Sequence, residues 1–185
     1  MRVIAGKAKG TVLTSVKGLS TRPTGARVRE ALFNILGQAV ADSRFLDLFA
    51  GSGAIGLEAL SRGAEAVVWV EADRACCEQI KKNLARTRLQ GGVVLNSDVF
   101  SALARLARRG EQFDLIFMDP PYAKGFVEKT LASLADSGLL KAEGIVVAEI
   151  SKKEEAPPAV SKLCLEQIRT YGETALLFYR WEGSQ

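Results

Sequence analysis

The chain has 185 residues, 48% of them hydrophobic, enough for one globular domain with its own core. No run approaches the roughly 18 apolar residues of a membrane span, MRVIAGKAKG lacks the apolar centre of a signal peptide, and a soluble, cytoplasmic protein is expected. The net charge is +4 but uneven: residues 1–29 hold Arg2, Lys7, Lys9, Lys17, Arg22, Arg27 and Arg29 and no acid, so this +7 segment leaves −3 for the remainder, the pattern of a basic polyanion-binding arm.

In chain order, RVIAG and TVLTS, joined by KAKG, predict a small N-terminal β-hairpin; residues 1–22 are set apart as a basic arm from a single domain over 23–185. TGARVREALFNILGQAV reads as a helix with Thr24 as N-cap and Val28, Ala31, Leu32, Ile35 and Leu36 on one stripe. RFLDLFA is a core strand, AIGLEALSR a helix closed by Gly63, and AEAVVWVEA a second strand. DRACCEQIKKNLARTR is a helix on an Asp cap, in which Cys76, Ile80 and Leu84 share the apolar face, so these thiols read as small core residues. Strand GVVLNSD, helix FSALARLARR, strand FDLIFMD, helix FVEKTLASLADSG and strand GIVVAEIS follow. KKEEAPPA reads as a linker, and LCLEQIRTYG and TALLFYRWE as an antiparallel hairpin turning at Gly172-Glu173. Alternation of strand and helix predicts an α/β fold: a seven-stranded, mostly parallel sheet ending in an antiparallel C-terminal hairpin.

Histidine is absent, and the three cysteines have no paired spacing. Ser-His-Asp and Cys-His nucleophiles are thereby excluded, no metal is expected, and any chemistry rests on carboxylates, backbone, aromatics or a cofactor. LDLFAGSGAIGLEAL supplies that cofactor's signature. Gly51-Ser52-Gly53-Ala54-Ile55-Gly56 follows a strand and opens a helix, and Glu71, 20 residues beyond Gly51, ends the next strand where an acid meets ribose hydroxyls. Asp47, just ahead of the glycines, would oppose a pyrophosphate at the helix N-terminus but attract a cation. Asp98 is placed to accept from an adenine amino group. Three acids at successive strand ends suit S-adenosylmethionine and suit NAD poorly.

FMDPPYAK ends the fourth core strand on Asp119-Pro120-Pro121-Tyr122, where two prolines remove two backbone donors and stiffen the turn. With a planar base beside it, the Asp119 carboxylate and the Pro120 carbonyl each accept one hydrogen of an exocyclic amine, and Tyr122 stacks on the ring. A base so held has left its stack, so flipping or a single-stranded loop is implied.

Together DPPY, DLFAGSGAIGLEAL and TRPTGARVREALFNIL resemble the bacterial 16S ribosomal RNA guanine-N2 methyltransferases, a class I, Rossmann-like family using S-adenosylmethionine. The resemblance runs over essentially the whole chain and implies methylation of the exocyclic N2 amine of one guanine in small-subunit rRNA, with S-adenosylhomocysteine as product. It implies cofactor contacts at Asp47, Phe49, Ala50, Gly51, Ser52, Gly53, Glu71, Ala72, Asp98, Val99 and Asp119, and catalysis by Asp119, Pro120 and Tyr122. RNA contacts are expected at Arg2, Lys7, Lys9, Arg22, Thr24 and Arg27. The substrate it implies is a partly assembled 30S particle with ribosomal proteins, met by a monomer. The alternatives are methylation of an adenine or cytosine amine or of a protein glutamine, and, from another class, an NAD-dependent oxidoreductase.

Overall fold

The computed structural model describes residues 1–16, 25–121 and 125–183. Helix α1 (Ala26–Leu36) runs into a 3-10 turn (Gly37–Val40); then come β1 (Arg44–Leu48), α2 (Ala54–Ser61), β2 (Ala66–Glu71), α3 (Arg74–Thr87), β3 (Gly92–Asn96), α4 (Val99–Arg108), β4 (Phe113–Met118), α5 (Phe126–Ala135), β5 (Leu140–Ser151), β6 (Ala159–Val160), β7 (Leu163–Tyr171) and β8 (Thr174–Trp181). They form one sheet of order β3-β2-β1-β4-β5-β8-β7-β6. β1 to β5 pair in parallel, and β8, β7 and β6 add antiparallel.

The sheet therefore has eight strands where seven are expected. The extra one, β6, lies at the end of the stretch read as a linker, where Ala159 faces Cys164 and Val160 faces Leu163. Two prolines precede it, and a short, proline-led strand is what an open sheet edge tolerates. The N-terminal hairpin is also slighter than expected. One bridge, Arg2 to Val12, is flanked by the Val3 N–H donating to Thr11 O (3.0 Å) and Leu13 N–H to Met1 O (2.8 Å). Three further donors turn to α2: Ile4 and Ala5 N–H reach the Glu58 carboxylate at 2.8 and 2.9 Å, and Ala8 N–H reaches Ser61 Oγ at 2.9 Å.

Alternating strand residues separate two cores. Phe45, Val67, Trp69, Leu115, Phe117 and Val147 pack with α1, α2, α3 and the hairpin's Val3, Ala8 and Leu13. Leu46, Leu48, Val70, Ile116, Met118 and Val146 pack with α4 and α5 on the opposite face. The buried stripe of α1 is rotated from the expected one: Val28, Arg29, Leu32, Phe33 and Leu36 are buried, while Ala31 and Ile35 are half-buried. The cause is Glu58, fully buried on α2, whose carboxylate lies 3.8 Å from Arg29 Nε and draws that arginine inward. Thr24 lies outside the described residues; Gly25 occupies the cap position, with no side-chain cap bond. Asp73 caps α3 as expected, accepting from Cys76 N–H at 2.9 Å.

Gly56 shows how tightly α2 meets the sheet: a Cβ there would stand 2.3 Å from Trp69 Nε1 and 2.6 Å from Val67 Cγ1. Alanine gains up to about 1 kcal/mol of helix propensity, but Trp69 is fully buried and overpacking costs about 1–3 kcal/mol. Gly56→Ala is expected to lower Tm by about 2–4 °C for each net kcal/mol lost. A variant melting at or above the wild type would show that Trp69 yields.

Candidate active site

At the carboxyl ends of β1, β2 and β4 the sheet opens into a cavity of about 800 Å³, lined by Asp47, residues 49–52, Ala54, Ile55, residues 70–73, Cys76, residues 98–100, Phe117, residues 119–121 and Phe126, with Ser15 and Val16 at the rim. This is the crevice position expected of a ligand in an open parallel sheet. Asp47, Phe49, Ala50, Gly51, Ser52, Glu71, Ala72, Asp98, Val99, Asp119 and Pro120 all line it.

The loop after β1 takes three left-handed residues, Phe49 (φ 58°), Gly51 (φ 52°) and Gly53 (φ 74°), before α2 begins. Phe49 is the costly one, since only glycine enters that region freely. The conformation is held from several sides. Gly51 N–H donates to Glu71 Oε2 at 2.8 Å, Trp69 Nε1 to Gly53 O at 3.2 Å, and Asn83 Nδ2 to Ser52 O at 3.2 Å. Glu71 Oε1 also accepts from Asp73 N–H at 2.8 Å, so this carboxylate ties the glycine loop to the start of α3. Asp47 Oδ2 accepts from Gly56 N–H at 3.0 Å in the first turn of α2. Asp98 caps α4 through Ser101 N–H at 2.9 Å, a bond that holds its carboxyl below the usual range.

Sequence reasoning missed a further acid. Phe117 of β4 lies in register with Asp47 of β1 and Val147 of β5, so Asp119 and Glu149, two residues on, project from the same face of neighbouring strands. Glu149 is buried. An acid ending GIVVAEIS, like those ending the other parallel strands, was the signal that could have found it. Burial, with the charges of Glu149 and then Asp47 adding to it, pushes Asp119 up to about 8. Burial likewise pushes Asp47 to about 8 against the pull of the Gly56 N–H, Glu71 adding a smaller upward push. Carboxylates crowded in this way favour a cationic or donor-rich ligand between them.

An aromatic wall was also missed in part. Phe126 stacks on Phe100 with centroids 6.3 Å apart and meets Phe49 edge-on at 5.9 Å, linking the glycine loop, α4 and the start of α5. Cys76 lines the cavity too, but burial pushes its thiol up to about 11, which fits a packed residue and no nucleophile. Tyr122, Arg22 and Thr24 lie outside the described residues. Gly53 caps α2 behind the loop. Arg2 and Arg27 are exposed, and Arg27 sits in the first turn of α1, two residues before Arg29, whose Nη2 reaches Arg2 O at 2.6 Å. Lys7 and Lys9 sit at the hairpin turn, where Lys7 N–H donates to Ser61 O at the far end of α2, away from the cavity.

The raised acids predict a pH effect. Unfolded aspartate titrates near 3.9, so the folded protein retains protons at Asp47 and Asp119 that the unfolded chain has released. That contribution is complete below about pH 4 and is lost as pH rises through about 8. Denaturant midpoints of the ligand-free protein are expected to fall from pH 6 to 8.5, and to fall less in Asp47→Asn. Equal slopes in the two proteins would contradict the assignment.

Residues 1–180 match the family described as Conserved hypothetical protein 95. YlbH of Bacillus subtilis strain 168 is 39% identical, the match covering 99% of this chain and 100% of that protein. Ribosomal RNA small subunit methyltransferase D of Escherichia coli K12 is 37% identical, over 99% of this chain and 91% of that protein. The solved structure of yhhF from Escherichia coli aligns with a TM-score of 0.87 at 38% identity, covering 100% of this chain and 99% of that chain.

Proposed function

Because the chain belongs to the Conserved hypothetical protein 95 family, and matches Ribosomal RNA small subunit methyltransferase D of Escherichia coli along nearly its whole length, we propose that it methylates the exocyclic N2 amine of a guanine in small-subunit ribosomal RNA. S-adenosylmethionine is the cofactor; bound, it supplies an electrophilic methyl group on a cationic sulfur. The observation that carries the reading is that Asp119-Pro120 opens into the same cavity as the glycine loop and the acids of β1 and β2.

The residues fit that cofactor. Asp47, Asp119 and Glu149 crowd negative charge where a cation would relieve it, Glu71 and Asp98 retain acceptor capacity toward hydroxyls and an amine, and the Phe49–Phe126–Phe100 wall offers apolar surface. Asp119 Oδ and the Pro120 carbonyl accept the two hydrogens of the guanine amine, orienting the nitrogen lone pair. Ionised Asp119 then stabilises the positive charge that develops on that nitrogen and is placed to take its proton. Tyr122 stacks on the base. Arg2, Lys7, Lys9, Arg22, Thr24 and Arg27 contact the RNA. The substrate is a partly assembled 30S particle met by a cytoplasmic monomer.

The test is transfer of labelled methyl groups to small subunits isolated unmethylated, beside bare 16S rRNA and duplex DNA, followed by nucleoside analysis. Label in N2-methylguanosine of the small subunit is expected. Label in N6-methyladenosine, or equal labelling of DNA, would overturn the reading.

A further inference from the structure

The hairpin and helices α1, α2 and α3 cover one face of the sheet, α4 and α5 the other. On the first face, α3 turns Cys76, Cys77, Ile80, Asn83 and Thr87 inward and leaves Arg74, Lys81, Lys82 and Arg86 exposed, with exposed Arg88 at its C-cap. Its acids are few: Asp73 is its cap, and Glu78 pairs with Lys81 at 2.8 Å. At 1.5 Å per residue, this cationic side extends about 20 Å, from Arg74, next to cavity-lining Asp73, to Arg88 at the opposite end.

The hairpin extends the same surface. Its returning strand is stitched to α3: Asn83 Nδ2 donates to Thr14 O at 2.8 Å, Thr14 N–H to Asn83 Oδ1 at 3.0 Å, and Arg86 Nη1 to Val12 O at 3.2 Å. Its turn presents exposed Lys7 and Lys9 at the C-terminal end of α2. Because Val3, Ala8 and Leu13 are buried in the core, the backbone that carries these cations is anchored before any substrate arrives. A base drawn into the cavity brings its flanking backbone to the rim, and a row of cations leading away from that rim matches a run of phosphates.

We infer that the α3 face, together with the hairpin turn, is the docking surface for the double-helical RNA adjoining the target nucleotide. This rests on the rRNA-methylating reading. It adds Arg74, Lys82 and Arg88 as phosphate contacts and makes the hairpin and α3 one preformed surface. Contacts of this kind position the duplex without reading its sequence.

The test is a full-length Arg74→Gln/Lys82→Gln/Arg88→Gln variant compared with Arg105→Gln/Arg108→Gln/Arg109→Gln on and just after α4. Binding is measured from 50 to 300 mM salt to a stem-loop carrying the target and to the loop alone, alongside Tm and S-adenosylmethionine affinity. The α3 variant is expected to lose about 2–3 from the log–log salt slope on the stem-loop, about one per cation removed. It should bind the stem-loop no better than the loop, with Tm and cofactor affinity unchanged, while the α4 variant keeps the wild-type slope. An unchanged slope in the α3 variant, or equal losses in both, overturns the inference. Should the triple variant melt early, the single Lys82→Gln variant decides, by a slope change of about one or none. Wild-type protein that methylates no small subunit and binds no RNA would instead bring down the parent reading, and this inference with it.

Discussion

Asp119→Ala is expected to lower kcat by about 10³-fold while cofactor affinity stays close to wild type. The carboxylate stands at the end of β4, and Asp47, from β1, and Glu71, from β2, remain to hold the cofactor side of the cavity. What is lost is one of two acceptors for the amine, and with it the in-line orientation and the negative charge facing the developing cation. The same substitution removes a carboxylate that burial and the charges of Glu149 and Asp47 already disfavour in the ligand-free protein. The variant should therefore melt no lower than wild type, which separates a chemical defect from a folding one. Single-turnover kinetics with saturating cofactor, beside calorimetric cofactor binding, make the measurement. Loss of cofactor binding in step with turnover would remove Asp119 from its role at the amine.

Glu58→Ala is expected to be the most damaging substitution for stability, costing about 3–5 kcal/mol and about 10 °C in Tm for a chain of this size. Glu58 is fully buried and accepts from Ile4 N–H, Ala5 N–H and Arg62 Nε at 2.8, 2.9 and 2.8 Å. Its charge also faces Arg29, 1% exposed, whose Nε makes no hydrogen bond among the described residues. Alanine leaves a buried guanidinium without its counter-charge and two backbone donors without acceptors, and each of these is costly. Glu58→Gln should recover part of the loss by supplying an acceptor without the charge. Protease should then cut residues 1–16 first. A Tm within about 2 °C of wild type would show that water or a rearranged hairpin replaces the carboxylate.

The site was more legible in the sequence than its support. Gly51, Gly53, Glu71, Asp98 and Asp119 were readable because each is tied to a strand end by spacing along one chain, and the alternation of strands and helices fixes which ends meet. Arg29 and Glu58 were not readable in this way. Arg29 counted as one of seven cations in an arm, and its burial depends on an acid 29 residues away on another helix. Glu149 escaped because its importance comes from register with β4, a relation between strands that neither strand's own pattern contains. The two-residue β6 was hidden by its prolines, which mark a linker and an edge strand alike.

The hairpin's partners also set an order of assembly. Residues 4 and 5 bond to Glu58 across 54 and 53 positions, and Thr14 to Asn83 across 69. During folding this segment, with its apolar Val3 and Leu13, stays unpartnered until α2 and α3 are in place to receive it. Such distant closures are slow, so the locking of residues 1–16 waits on α2 and α3 and cannot template either helix.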